Sequence, residues 1–159
     1  AGFFDKPELT SNTKLLYVHG AADDYTLPKP CEDYVKKIKS GPGQVEIDMK
    51  EGWYHGFHYS QKPKKYKAMT VHNCPAFFVD NDGFVVGNEW PDMVLTKHKL
   101  FPSMDAFYEA AQVEPKKLWK KTFKILKKEK CLKRGVTIGG DHMDEYMPQF
   151  INFFKENLL

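Results

Sequence analysis

Two short segments hold the residues best suited to chemistry. "VHGAADDYTLPKPCEDYV", Val18 to Val35, sets Asp23 and Asp24 side by side after an apolar run, and "EGWYHGFHY", Glu51 to Tyr59, holds His55 and His58. A carboxylate and an imidazole at defined positions suit nucleophilic hydrolysis. The acid fixes the imidazole tautomer and stabilises the imidazolium, while the ring takes a proton from a Ser or Cys. Asp23 stands in Gly-x-x-Asp, where Gly20 and two alanines let the backbone turn sharply. His55 stands in Tyr-His-Gly-Phe, where Gly56 relieves crowding beside the ring. Trp53 and Tyr54 either line a substrate pocket, with His58, or simply pack. His19 reads as a packed or hydrogen-bonded residue.

Such groups work only if the fold brings them together. "TKLLYVH", residues 13–19, is a short β-prone run that ends in small residues, as a buried strand feeding a tight loop does. In "CEDYVKKIKS", Cys31, Tyr34, Val35 and Ile38 recur at helical spacing with lysines opposite, and "GPG" at 41–43 stops the helix. "QVEIDM", residues 44–49, alternates as a strand. Strand, helix, strand predicts a parallel pair with a right-handed crossover. Ligands and catalytic groups in open α/β sheets gather at the carboxyl ends of the strands. The segments bearing Asp23/Asp24 and His55/His58 both leave such ends, so the pattern predicts that they share one edge.

From Lys62 to Arg134 the pattern changes. "FFVDNDGFVVG" predicts a hairpin with an Asn-Asp-Gly turn, in preference to a calcium loop, because Phe78 stands where the first ligand would be. Ser103 is the expected N-cap of a short helix. "EPKKLWKKTFKILKKEKCLKR" predicts a basic amphipathic helix with Pro115 near its first turn and Leu118, Trp119, Thr122, Ile125 and Leu126 on one side. "TIGGDH" reads as a turn into a last helix, which Pro148 should kink or start late and whose Phe150, Ile151, Phe153, Phe154 and Leu158 would cover a sheet.

The 159 residues suit one domain with a core of its own, and no run approaches the roughly eighteen apolar residues of a membrane span. The net charge of +3 hides an asymmetry: residues 114–134 hold ten Lys or Arg against two Glu, leaving a net −5 elsewhere. A solvated lysine face accounts for that run without a nucleic-acid or membrane partner, since it has no Arg cluster and no nucleic-acid motif. Cys31, Cys74 and Cys131 form no CxxC pair, which argues against zinc and leaves open either three thiols or one disulfide with one thiol. The compartment stays open as well: the first residues carry no secretion signal, which leans toward the cytoplasm, but a mature periplasmic or secreted chain would look the same.

"HGAADDYTLPKPC", "VEIDMKEGWYHGF" and "RGVTIGGD…FINFFKENL" together resemble the C-terminal half of the dienelactone hydrolase family of the α/β-hydrolase fold. The likeness is best over Lys14–Tyr59 and Arg134–Leu159. It implies an α/β fold in which residues 1–159 are the C-terminal portion of one hydrolase domain. Parallel strands would be flanked by helices, and 62–134 would be an insert carrying the hairpin and the basic helix. By this resemblance Asp23 is the triad acid, with Asp24 a neighbour able to cap the following helix. His55 is the base, and His58 is the alternative. The family's nucleophile precedes the acid on a glycine-flanked elbow, and this chain has none: no cysteine lies between glycines and all three follow Asp23. The resemblance therefore implies an ester or lactone hydrolase needing no metal or organic cofactor, represented here as a fragment, inert alone, whose partner is the missing N-terminal half. The insert reads as a lid, a homodimer contact or a surface for an anionic partner. The rival function is a non-catalytic binding or assembly module that kept the scaffold.

Overall fold

The computed structural model describes residues 2–4, 6–10, 12–39, 44–75 and 77–158. The "GPG" stop expected at 41–43 lies outside the described residues. The chain is a mixed α/β protein that divides into two compact units, residues 1–6 with 71–133 and residues 7–70 with 134–159.

The second unit carries the predicted strand, helix, strand. β2 (Lys14–Gly20) and β3 (Gln44–Lys50) pair in parallel, from Lys14 opposite Gln44 to Gly20 opposite Lys50, after β1 (Gly2–Phe4) of the other unit. Between them runs α1 (Pro28–Lys39), whose Cys31, Val35 and Ile38 are buried. Val35, Ile38 and Val45 form the centre of this unit's core, with Leu15, Tyr17 and Ile47 packed against it. Each such side chain withdrawn from water contributes about 1.5–3 kcal/mol.

β4 (Lys64–Thr70) pairs with β7 (Lys133–Ile138) in a two-stranded sheet. β4 was not legible in "KKYKAMT", where lysines interrupt the apolar alternation. α5 (Met143–Leu158) closes the chain. It begins well before Pro148 and continues through it, so the expected late start does not occur. Its Phe150, Ile151 and Phe154 are exposed rather than laid over a sheet, because among the described residues the sheets have only two or three strands each.

In the first unit β1 pairs in parallel with β5 (Phe77–Val79), which forms the predicted hairpin with β6 (Val85–Val86). Asp80 Oδ1 closes the turn by accepting from the N–H groups of Asp82 at 3.0 Å and Phe84 at 2.8 Å. A short helical turn, α2 (Glu89–Pro91), leads into a wider π-helical stretch, Asp92–Lys97. α3 (Met104–Val113) is capped by Ser103, whose hydroxyl accepts from Ala106 N–H at 3.3 Å. α4 (Pro115–Lys128) begins on Pro115, as expected. Its Thr122, Ile125 and Leu126 are buried, and Ile125 and Leu126 pack with Trp90, Met93, Val94 and Cys131, but Trp119, expected on the same side, lies outside. Cys74 and Cys131 form a disulfide, which leaves Cys31 as the free, buried thiol.

Candidate active site

The carboxyl ends of β2 and β3 lie opposite each other at Gly20 and Lys50, so the loops that follow leave one edge together. They are joined there by backbone hydrogen bonds from Ala21 N–H to Lys50 O at 2.8 Å and from Ala22 N–H to Trp53 O at 3.0 Å. Gly20 permits this approach: a Cβ at that position would stand 2.2 Å from Trp53 O. The loop containing His55 is then fastened to the segment after β7. His55 and Ile138 form a parallel bridge, Gly139 N–H donates to His55 O at 2.8 Å, and His142 N–H donates to Phe57 O at 2.9 Å. Gly56 has φ +68°, and a Cβ there would meet the Tyr59 ring at 2.7 Å, so the loop's shape, not only room beside the imidazole, demands glycine.

Within this frame the two expected side chains meet. His55 Nδ1 lies 3.0 Å from Asp23 Oδ2, while Asp23 Oδ1 accepts from the N–H groups of Tyr25 at 2.8 Å and Thr26 at 2.7 Å. Asp23 is 6% exposed, and three donors satisfy its carboxylate. An ionised carboxylate can only accept, so the bond to it puts the proton on Nδ1 and leaves the Nε2 lone pair available as a base. The imidazole lies edge-on to Tyr25, with ring centres 4.7 Å apart, and its side chain is one-third exposed.

A second histidine approaches the same carboxylate without sharing this role. His19 Nε2 is 3.7 Å from Asp23 Oδ2, beyond hydrogen-bonding distance, and 3.0 Å from Thr26 O, a pure acceptor that fixes a proton on Nε2. His19 Nδ1 meets Tyr17 Oη at 2.7 Å. Burial foremost, then the Cys31 thiol and the Asp23 charge, push the Tyr17 phenol far above its usual range. Tyr17 therefore remains a neutral O–H that donates to Nδ1, and both nitrogens of His19 are engaged. His19 braces the loop, as a packed and hydrogen-bonded residue should.

Asp24 does not cap α1. Its Oδ1 accepts from Thr137 N–H at 2.7 Å and its Oδ2 from the Thr137 hydroxyl at 3.2 Å, which ties the acidic loop to β7. Thr137 was not singled out from the sequence, and no local signal marks a partner 113 residues from Asp24. Trp53 is 5% exposed and stacks on His142, with ring centres 4.4 Å apart and planes 13° apart, so it packs rather than faces a cavity. Tyr54 is half-buried. His58 is exposed, its ring set against Phe57 and Tyr59, and it is His55 that holds Asp23 Oδ2. Among the described residues no group of His, Cys, Asp and Glu has the arrangement of a metal site.

Compared with family models, with curated proteins and with solved structures, the chain matches none.

Proposed function

We propose that the chain is the acid- and base-bearing part of a carboxylic-ester or lactone hydrolase of the dienelactone hydrolase type, with its nucleophile on a segment that precedes these residues. The observation that carries this reading is the 3.0 Å contact between Asp23 and His55, made by a buried carboxylate whose other oxygen is held by two backbone N–H groups. The parallel pair of β2 and β3 around α1 is in keeping with a portion of a hydrolase sheet.

In this mechanism His55 Nε2 takes the proton of the Ser or Cys nucleophile as that atom attacks the ester carbonyl. Asp23 stabilises the imidazolium that results. The proton then passes to the departing alkoxide, and water, deprotonated by the same nitrogen, releases the acid from the acyl-enzyme. A lactone follows the same path, with its alcohol still attached to the product.

The test is hydrolysis of p-nitrophenyl acetate by the protein with its preceding segment present. His55→Ala should lower kcat/KM on the order of 10⁴-fold or more with the circular dichroism spectrum unchanged. Near-unchanged turnover would refute the assignment and leave the binding or assembly module as the better reading.

A further inference from the structure

α4 presents lysines along its whole solvent side. Lys116, Lys117, Lys120, Lys121, Lys124, Lys127 and Lys128 are all exposed. Lys117 pairs with Glu114 at 2.8 Å, and the Lys121 ammonium lies 5.8 Å from the centre of the Phe101 ring. The other five have no acidic partner among the described residues. Beside them Trp119 is 59% exposed, its ring 5.7 Å from that of Phe123. Trp119, expected on the buried side, instead lies at the margin of the lysine face. An indole at the edge of this cationic face combines an apolar body with a polar N–H, the character that suits a boundary between water and an apolar phase.

We infer that this face of α4 docks on an anionic lipid bilayer. The helix is 14 residues, about 21 Å long, and its lysines run its full length, which matches a plane of charge. Its own apolar side is committed to the core through Ile125 and Leu126, so the helix does not turn over and insert. Contact is peripheral, through ammonium groups and one indole, the side chain enriched at the level of lipid headgroups. Nucleic acid fits less well. α4 contains no arginine, the residue whose planar fork grips phosphates and base edges, whereas lysine acts as a point charge toward any anionic surface. The inference concerns a surface and is independent of the hydrolase reading.

The experiment is cosedimentation of the intact chain with phosphatidylcholine vesicles, with and without phosphatidylserine, followed by tryptophan emission. Trp53 and Trp90 are buried, so a blue shift on binding reports Trp119. Binding is expected only with phosphatidylserine and is expected to weaken steeply with salt. Each lysine near such a surface strengthens binding on the order of fivefold, so Lys120→Glu with Lys124→Glu should weaken it at least about 25-fold. Trp119→Ser, at an exposed position, should keep the fold, lose the shift and bind several-fold more weakly. The inference is overturned by equal binding to uncharged vesicles, by no binding, by unshifted emission on bound vesicles, or by tighter binding to a DNA or RNA oligonucleotide at the same salt.

Discussion

Asp24 and Thr137 are joined by two hydrogen bonds, from the N–H at 2.7 Å and from the hydroxyl at 3.2 Å, while the neighbouring Asp23 turns the other way to His55. The adjacent carboxylates thus divide two tasks. One anchors the loop to β7, and the other faces the imidazole.

Removing the anchor should loosen the loop without touching the imidazole. Asp24→Ala leaves the half-buried Thr137 N–H without its charged acceptor, which is expected to cost about 1–3 kcal/mol. A lowered urea midpoint at constant slope, with faster hydrogen exchange at Thr137 N–H, is the expected outcome. Unchanged stability and exchange would show that the contact contributes nothing.

Gly20, the last residue of β2, faces the backbone of the other loop at Trp53. Gly20→Ala drives a Cβ to within 2.2 Å of Trp53 O, so the backbone must shift and the bond from Ala22 N–H to that oxygen weakens. A loss of about 3 kcal/mol is expected from overpacking of this kind. Thermal unfolding of the variant measures it.

The disulfide closes a span of 57 residues in the first unit. Constraining an unfolded loop of that length is worth about 4 kcal/mol in the chain-entropy account. Cys74→Ser with Cys131→Ser should lower the unit's stability by about that amount. Cys31→Ser, which breaks no bridge, should change it much less. Urea unfolding of the two variants makes the comparison.

Glu129 gives the first unit a pH signature. Its carboxylate accepts from Lys97 Nζ at 2.6 Å and His98 Nε2 at 2.5 Å, and these bonds, that from Lys97 foremost, hold its pKa below the ordinary 4.5. A carboxyl group with a depressed folded value adds stability above its unfolded pKa and loses it as pH falls through the folded one. Stability should therefore decline from about pH 4.5 downward, and Glu129→Gln should flatten that decline. The urea midpoint measured against pH decides it.

The legible features were those in which local pattern and packing agree. The spacing of Val35 and Ile38 predicted α1, and the runs on either side of it predicted the parallel pair. Two polar loops leaving neighbouring strand ends then predicted a shared edge for Asp23/Asp24 and His55/His58, and the resemblance to hydrolase loops singled out Asp23 and His55, whose side chains lie 3.0 Å apart. What escaped were choices made by distant partners. The reach of Asp24 to Thr137 and the bridge from Cys74 to Cys131 depend on tertiary placement, which neither spacing nor residue type encodes. Trp119 was misplaced because it lies next to Leu118 at the margin of the apolar stripe, where one step of helical rotation separates core from solvent.

The most direct test of the central contact is the tautomer of neutral His55, read from long-range nitrogen–proton NMR correlations. The proton should sit on Nδ1 in the unaltered chain and leave it in Asp23→Ala, with Nε2 the unprotonated nitrogen before the change. A ring already protonated on Nε2 in the unaltered chain would contradict the pairing with Asp23 and remove the base from the proposed mechanism.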